Sequence, residues 1–126
     1  MDLYTDRSTD ILIGTETYSL ILTTKATKEI AVRYGGLDKL GDELSSSDDL
    51  TKMIDEIIWL ITLLANQGIL VHNLHNPENK KTLLKEDEVE LLTSPYHLAE
   101  YKDAIALALA KGMKRNILSE PNPKNE

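Results

Sequence analysis

The side chains in this sequence with the type and spacing to gather a metal ion are His72 and His75, with Glu78 nearby, and His97 further along the chain. On a helix an i, i+3 pair shares a face, and imidazole is a common zinc ligand. Asn-rich surroundings and a loop context across 72–81 favour a solvated stretch instead, and no Glu follows the first His, so the zincin pattern is missing. The acids Glu86, Asp87, Glu88 and Glu90 invite comparison with a calcium loop. They lack its alternating Asp/Asn ligands and central Gly, and acids in the first turn of a helix account for them through the helix dipole. Neither Ser45–Ser47 nor Ser94 stands in a G-x-S-x-G context, and Gly35-Gly36 belongs to no phosphate-binding pattern. With no cysteine in the chain, disulfides, zinc-thiolate sites, iron-sulfur ligation and cysteine nucleophiles are excluded. The expectation is a chain that is not an enzyme and holds no metal or cofactor.

Residues suited to binding another protein are easier to find. Trp59 lies on a helix whose second half is apolar almost all round, and Trp is enriched in interface hot spots; a core position is the competing reading. Met113, Ile117 and Leu118 interleave with Lys111, Lys114 and Arg115 ahead of a polar tail. The cations complement the C-terminal end of a helix dipole, and the apolar residues offer a second contact with a partner.

The 126 residues suit one domain, and 41% hydrophobic with 28% charged residues lies near the globular average. One Trp, five Tyr and no Phe leave core volume to Leu, Ile, Val and Met. A net charge of -7 disfavours nucleic-acid binding, which depends on clustered Lys and Arg. The N-terminus, Met1-Asp2-Leu3-Tyr4-Thr5-Asp6, does not resemble a secretory signal. The longest apolar run, 57–65, is far short of the ~20 residues of a membrane span. No membrane association and a cytoplasmic location are therefore expected, and the absence of cysteine suits a reducing compartment.

The elements follow from periodicity and punctuation. Residues 10–22 read as a hairpin with 14–17 as its turn, and a lone hairpin must lean on helices or pair with another chain. Thr23-Thr24 caps a helix to Tyr34 with Ala26, Ile30 and Tyr34 on one face and Glu29 spaced to meet Arg33. Gly35-Gly36 ends it, and Leu37, Leu40 and Leu44 mark a second helix. After the polar 45–49 stretch, Leu50, Met53, Ile54, Ile57, Ile58, Ile61, Leu64 and Ala65 mark the clearest helix. Residues 69–71 continue it or form a brief extended piece, and 72–81 form a loop. A short helix spans 85–92. Ser94 as N-cap and Pro95 as first residue begin a last helix to about Met113, with Leu98, Tyr101, Ile105, Ala108, Leu109 and Gly112 on its face. The fold class is thus mainly α (α+β): a short N-terminal hairpin followed by a compact bundle of about four to five helices. Residues 1–9 are expected to be flexible, 10–118 to form the single domain, and 119–126 to be a disordered tail.

The order of features resembles a family. A hairpin leads into Thr23-Thr24-Lys25-Ala26-Thr27-Lys28-Glu29-Ile30 and Arg33-Tyr34-Gly35-Gly36-Leu37, then an apolar helix ending Asn66-Gln67-Gly68, then Leu91-Leu92-Thr93-Ser94-Pro95-Tyr96. Over roughly 10–115 this is similar to the small tail assembly chaperones of phages and prophages of Gram-positive bacteria. The resemblance implies a cytoplasmic, oligomeric protein that binds the tape measure protein and tail tube subunits, is absent from the finished virion, and often has a frameshifted longer form. Two other functions remain open: a phage head-tail connector or other small structural phage protein, and a small metalloenzyme using His72, His75 and His97.

Overall fold

The computed structural model describes residues 7–46 and 49–113. It opens with β1 (Ser8–Ile13) and β2 (Glu16–Ile21), paired antiparallel from Ser8 with Ile21 to Ile13 with Glu16. The turn is Gly14-Thr15 alone, two residues shorter than expected, because Glu16 and Thr17 pair with Ile13 and Leu12. Gly14 takes φ +67°, the left-handed region that a tight hairpin turn requires at its first position. Ser8 and Thr9, expected in a flexible terminus, are also in the ladder. Ile11 and Ile13 alternate inward and Leu12 outward, as a period of two demands.

Five α-helices and a 3-10 turn follow among the described residues: α1 (Thr24–Tyr34), α2 (Leu37–Ser46), α3 (Leu50–His75), α4 (Glu86–Leu92), the turn Pro95–His97, and α5 (Leu98–Met113). Thr23 caps α1 by accepting from the Ala26 N–H at 3.0 Å, and Gly35 ends it with φ +89°. The Thr23 hydroxyl also donates to Gln67, which is buried in α3, so one residue caps the first helix and ties it to the central one. Asp49 caps α3 through the Lys52 N–H at 3.2 Å.

Helix α3 differs most from expectation. It runs 26 residues, straight through Gly68, and takes His72 and His75 into its last turn instead of a loop. By length and composition it would reach across a bilayer, which the 57–65 run alone would not, yet more than half of its most apolar stretch is buried inside the protein. It serves as the core. Ile57, Ile58, Leu60, Ile61, Leu64 and Ala65 are enclosed by β2, α1, α2, α4 and α5, which explains why this part of the helix is apolar on nearly every side.

Gly68 marks a close approach instead of a helix end. A Cβ there would lie 2.3 Å from the carbonyl oxygen of Ser19, so only glycine lets the helix axis come this near to β2. Gly112 plays the same part in α5, where a Cβ would lie 2.5 Å from that of Leu22. The hairpin therefore has a helix against each edge. In this register the carbonyls of Ser8 and Leu12 face away from β2, and α5 satisfies both: Tyr101 Oη donates to Leu12 at 2.7 Å and Lys111 Nζ to Ser8 at 2.8 Å. Lys111, expected to complement the helix dipole, closes a strand edge instead.

Two asparagines on α3 hold the chain that returns along it. Asn66 donates to the carbonyl of Leu84 at 2.9 Å and accepts from its N–H at 2.7 Å; Asn73 does the same with Lys81 at 3.0 and 2.8 Å. Each side-chain amide stands in for a neighbouring strand. The spacing fits, since seven residues of helix advance ~10.5 Å and three of extended chain ~10 Å.

These contacts set opposite expectations for two helical glycines. Gly68→Ala forces a methyl onto a backbone carbonyl and lowers stability by about 1–3 kcal/mol despite the better helix propensity. At Gly41 no atom lies within 4 Å of the added Cβ, so Gly41→Ala stabilises by about 0.5–1 kcal/mol. Thermal or denaturant melts of the two variants check both signs; a Gly68→Ala protein as stable as the parent would contradict the close approach.

Candidate functional site

Trp59 is half-buried on α3, one turn after Glu56, and faces the end of α1. The guanidinium of Arg33 lies 4.3 Å from the Trp59 ring centroid, and Tyr34 meets that ring edge-on at 6.0 Å. Arg33 Nε also donates to Glu56 at 3.2 Å, and the Tyr34 hydroxyl donates to the same carboxylate. The i,i+4 partner expected for Arg33 was Glu29; tertiary packing gives Arg33 to Glu56, and Glu29 lies 4.0 Å from Lys25. Trp59 thus has one face covered by its own chain, in a cation-π contact of about 0.5–1 kcal/mol.

The ionisation of this cluster follows from its geometry. Burial opposes charge on Glu56, but the hydrogen bonds from Tyr34 and Arg33 and the positive charge of Arg33 outweigh it and hold the carboxyl below its usual range. Burial, then the bond to Glu56, pushes the Tyr34 hydroxyl well up. The cluster pins α1 to α3.

His72 and His75 share the last turn of α3, and His72 and His97 each have local hydrogen-bond partners. His72 Nε2 lies 3.0 Å from the Asn79 carbonyl, and its Nδ1 is 3.4 Å from the Asn76 amide. His97 Nδ1 accepts from the Ser94 N–H at 3.0 Å, so it helps cap the turn before α5, and its ring stacks on Tyr101 at 5.8 Å. Among the described residues no group of three His, Cys, Asp or Glu side chains is placed to hold a metal. In the acidic run, Glu88 accepts from the Lys85 N–H at 2.8 Å, the bond of a helix cap. The clefts among the described residues include one of about 150 Å³ between Tyr18, Gly68 and His72, and one of about 180 Å³ between Ile54, Ile58 and Leu98. Ser19 and His72 both line the first, and the Ser19 hydroxyl donates to Asp10 at 2.8 Å.

Several large apolar side chains stand exposed on the hairpin, α4 and the turn before α5: Leu91 and Tyr96 are 85% and 86% exposed, Leu12 and Leu92 56% and 49%. The Leu92 side chain packs 3.3 Å from the Cβ position of Gly14, and Tyr101 bonds the Leu12 carbonyl while stacking on His97, which meets Tyr96 edge-on at 5.6 Å. The signal for two of these exposures lies in the local pattern. Three apolar residues in succession, Ile11-Leu12-Ile13, cannot share one face of a strand, and a seven-residue helix that buries Val89 turns Leu91 directly away. Met113 is 58% exposed at the end of α5; Ile117 and Leu118 lie outside the described residues, as do Lys114 and Arg115.

Comparison with protein-family profiles, with curated proteins and with solved structures finds no match.

The depressed Glu56 carboxyl predicts an acid-sensitive junction. A carboxyl whose folded pKa lies below its unfolded value stabilises the fold at neutral pH, and that contribution is lost as pH falls below about 4.5. Glu56→Gln should cost about 1–2 kcal/mol at pH 7, and the gap from the parent should narrow as pH drops toward 3. Urea melts across that range measure it; a gap that stays constant would show that Glu56 acts without its charge.

Proposed function

We propose that this chain is a non-catalytic protein-binding module that serves as a phage tail assembly chaperone, holding tape measure and tail tube proteins before they join the tail. The observation that carries the binding part of this reading is the exposure of Leu12, Leu91, Leu92 and Tyr96 on the hairpin, α4 and the turn that follows it. Large apolar side chains left on the surface of neighbouring elements suit an interaction site. The tail-assembly part rests on the resemblance of the 23–30, 33–37, 66–68 and 91–96 stretches. Part of that resemblance falls on residues with definite structural work, since Thr23 and Gln67 bond each other and Gly35 ends α1.

In this reading the protein is a homo-oligomer in the cytoplasm of the bacterial host, with no nucleic-acid or membrane role. Its helix α3 is the core of the fold and not a membrane anchor. The net charge of -7 keeps the exterior repulsive between complexes while apolar surface is occupied.

Co-expression with a tape measure fragment tests this function. The expected result is a soluble complex that co-elutes from gel filtration, together with absence of the chain from purified virions. A fragment whose solubility and elution volume do not change refutes the chaperone role, and detection of the chain in virions points to a connector or other structural component.

A further inference from the structure

We infer that the outward face of α5 is a self-association surface, on which a second copy of this chain packs its own α5 antiparallel, about a two-fold axis at the level of Ala108. The inference rests on the oligomeric part of the reading above and deepens it by naming the surface. Residues 104–110 carry no polar side chain, so α5, like the middle of α3, is apolar on every side along this stretch. A helix of that kind needs cover all round. On α3 the neighbouring elements provide it. On α5 the inner side, Tyr101, Ala104, Ile105 and Ala108, is buried against the hairpin and α3, whereas Ala106, Leu107, Ala110 and Met113 are exposed, Leu107 by 49% and Met113 by 58%. These four form one surface, because residues three and four apart are neighbours on a helix.

Spacing and charge select a second copy as the occupant. The exposed positions Ala99, Asp103, Ala106, Ala110 and Met113 alternate steps of four and three residues, the repeat by which two helices interlock. An antiparallel two-fold contact sets Ala106 against Ala110 of the second copy, where small side chains let the helices come close. It also sets Asp103 against Met113 of the second copy and the Lys114 that follows it. Glu100 and Asp103 are exposed at the start of α5; Lys102 beside them is half-buried, and Lys111 Nζ is held on the Ser8 carbonyl. Arg7 adjoins that carbonyl, and Lys114 and Arg115 follow Met113 in the sequence, so the far end is basic. Antiparallel pairing therefore puts each acidic end beside a basic one, twice over by symmetry, whereas parallel pairing puts like charges together. Two turns from each copy bury less surface than a permanent dimer does, so the association is reversible.

The test uses the full chain, which has no cysteine of its own. Sedimentation over a concentration series should show a monomer and dimer in equilibrium. Ala106→Cys mixed with Ala110→Cys should give a disulfide-linked dimer under mild oxidation well ahead of either variant alone, since only facing positions bring two Cβ atoms within reach. Ala110→Glu, at an exposed position, should weaken the dimer by about tenfold while melting as the parent does at concentrations where both are monomeric. Asp103→Lys should also weaken it, and Lys114→Asp in the same chain should restore it. Cross-links between like variants, a dimer indifferent to Ala110→Glu, or no rescue by the charge swap overturns the inference. A dimer that survives Ala110→Glu sinks this surface and leaves the oligomeric reading standing. A chain monomeric at every concentration sinks both, and capture of the tape measure fragment decides the chaperone role independently.

Discussion

A helix comes up against the backbone of a strand at Gly68. It lies against the carbonyl of Ser19, nearer than any residue with a side chain could come, and Gly112 in α5 lies as closely against the side chain of Leu22, the residue that follows β2. A two-stranded hairpin is marginal alone. Here it is held from both edges, with α3 along β2 and the side chains of Tyr101 and Lys111 on the open carbonyls of β1. Sheet and helices are stable together because two positions lack a Cβ.

Helix α3 orders nearly everything else. One stretch of it buries aliphatic side chains against all its neighbours, and its flanks carry the polar groups that fasten the remaining chain. Gln67 takes the hydroxyl that caps α1, Glu56 takes Arg33 and Tyr34, and Asn66 and Asn73 take the backbone of the returning segment. Each of these is a polar group paired at the boundary of an apolar core, where leaving it unpaired would cost more than the bond contributes. The segment between α3 and α4 is ordered without strand or helix for this reason.

The same arrangement leaves several large apolar side chains outside. Val89 anchors α4 to the core, and a helix of two turns has no second inward face, so Leu91 points to solvent while Leu92 reaches the hairpin turn. Tyr101 links this surface to the interior, being buried itself and bonded to the Leu12 carbonyl. Trp59 holds a different position: covered by Arg33 and edged by Tyr34, it strengthens the α1 to α3 junction.

Much of the fold was legible along the chain because its signals are local. The cap at Thr23, the glycine at 35 and the 3.6-residue period of α3 depend on neighbours a few residues away, and each lies where the pattern put it; Ser94-Pro95 opens a 3-10 turn instead of the last helix, which begins at Leu98. The readings that changed all concern residues whose role is set by distant parts of the chain. Gly68 reads as a helix end until Ser19 is beside it. Arg33 is spaced for Glu29 but finds Glu56 on another helix, and the Asn-rich stretch reads as loop until four of its residues, His72 to His75, prove to be helical. Leu12 and Leu91 are the clearest case. The sequence alone determined that Leu12 lies opposite Ile11 and Ile13 and Leu91 opposite Val89, because the periods of strand and helix require it, whereas only tertiary packing decided which of the two sides is buried, because that depends on where the distant helix α3 packs.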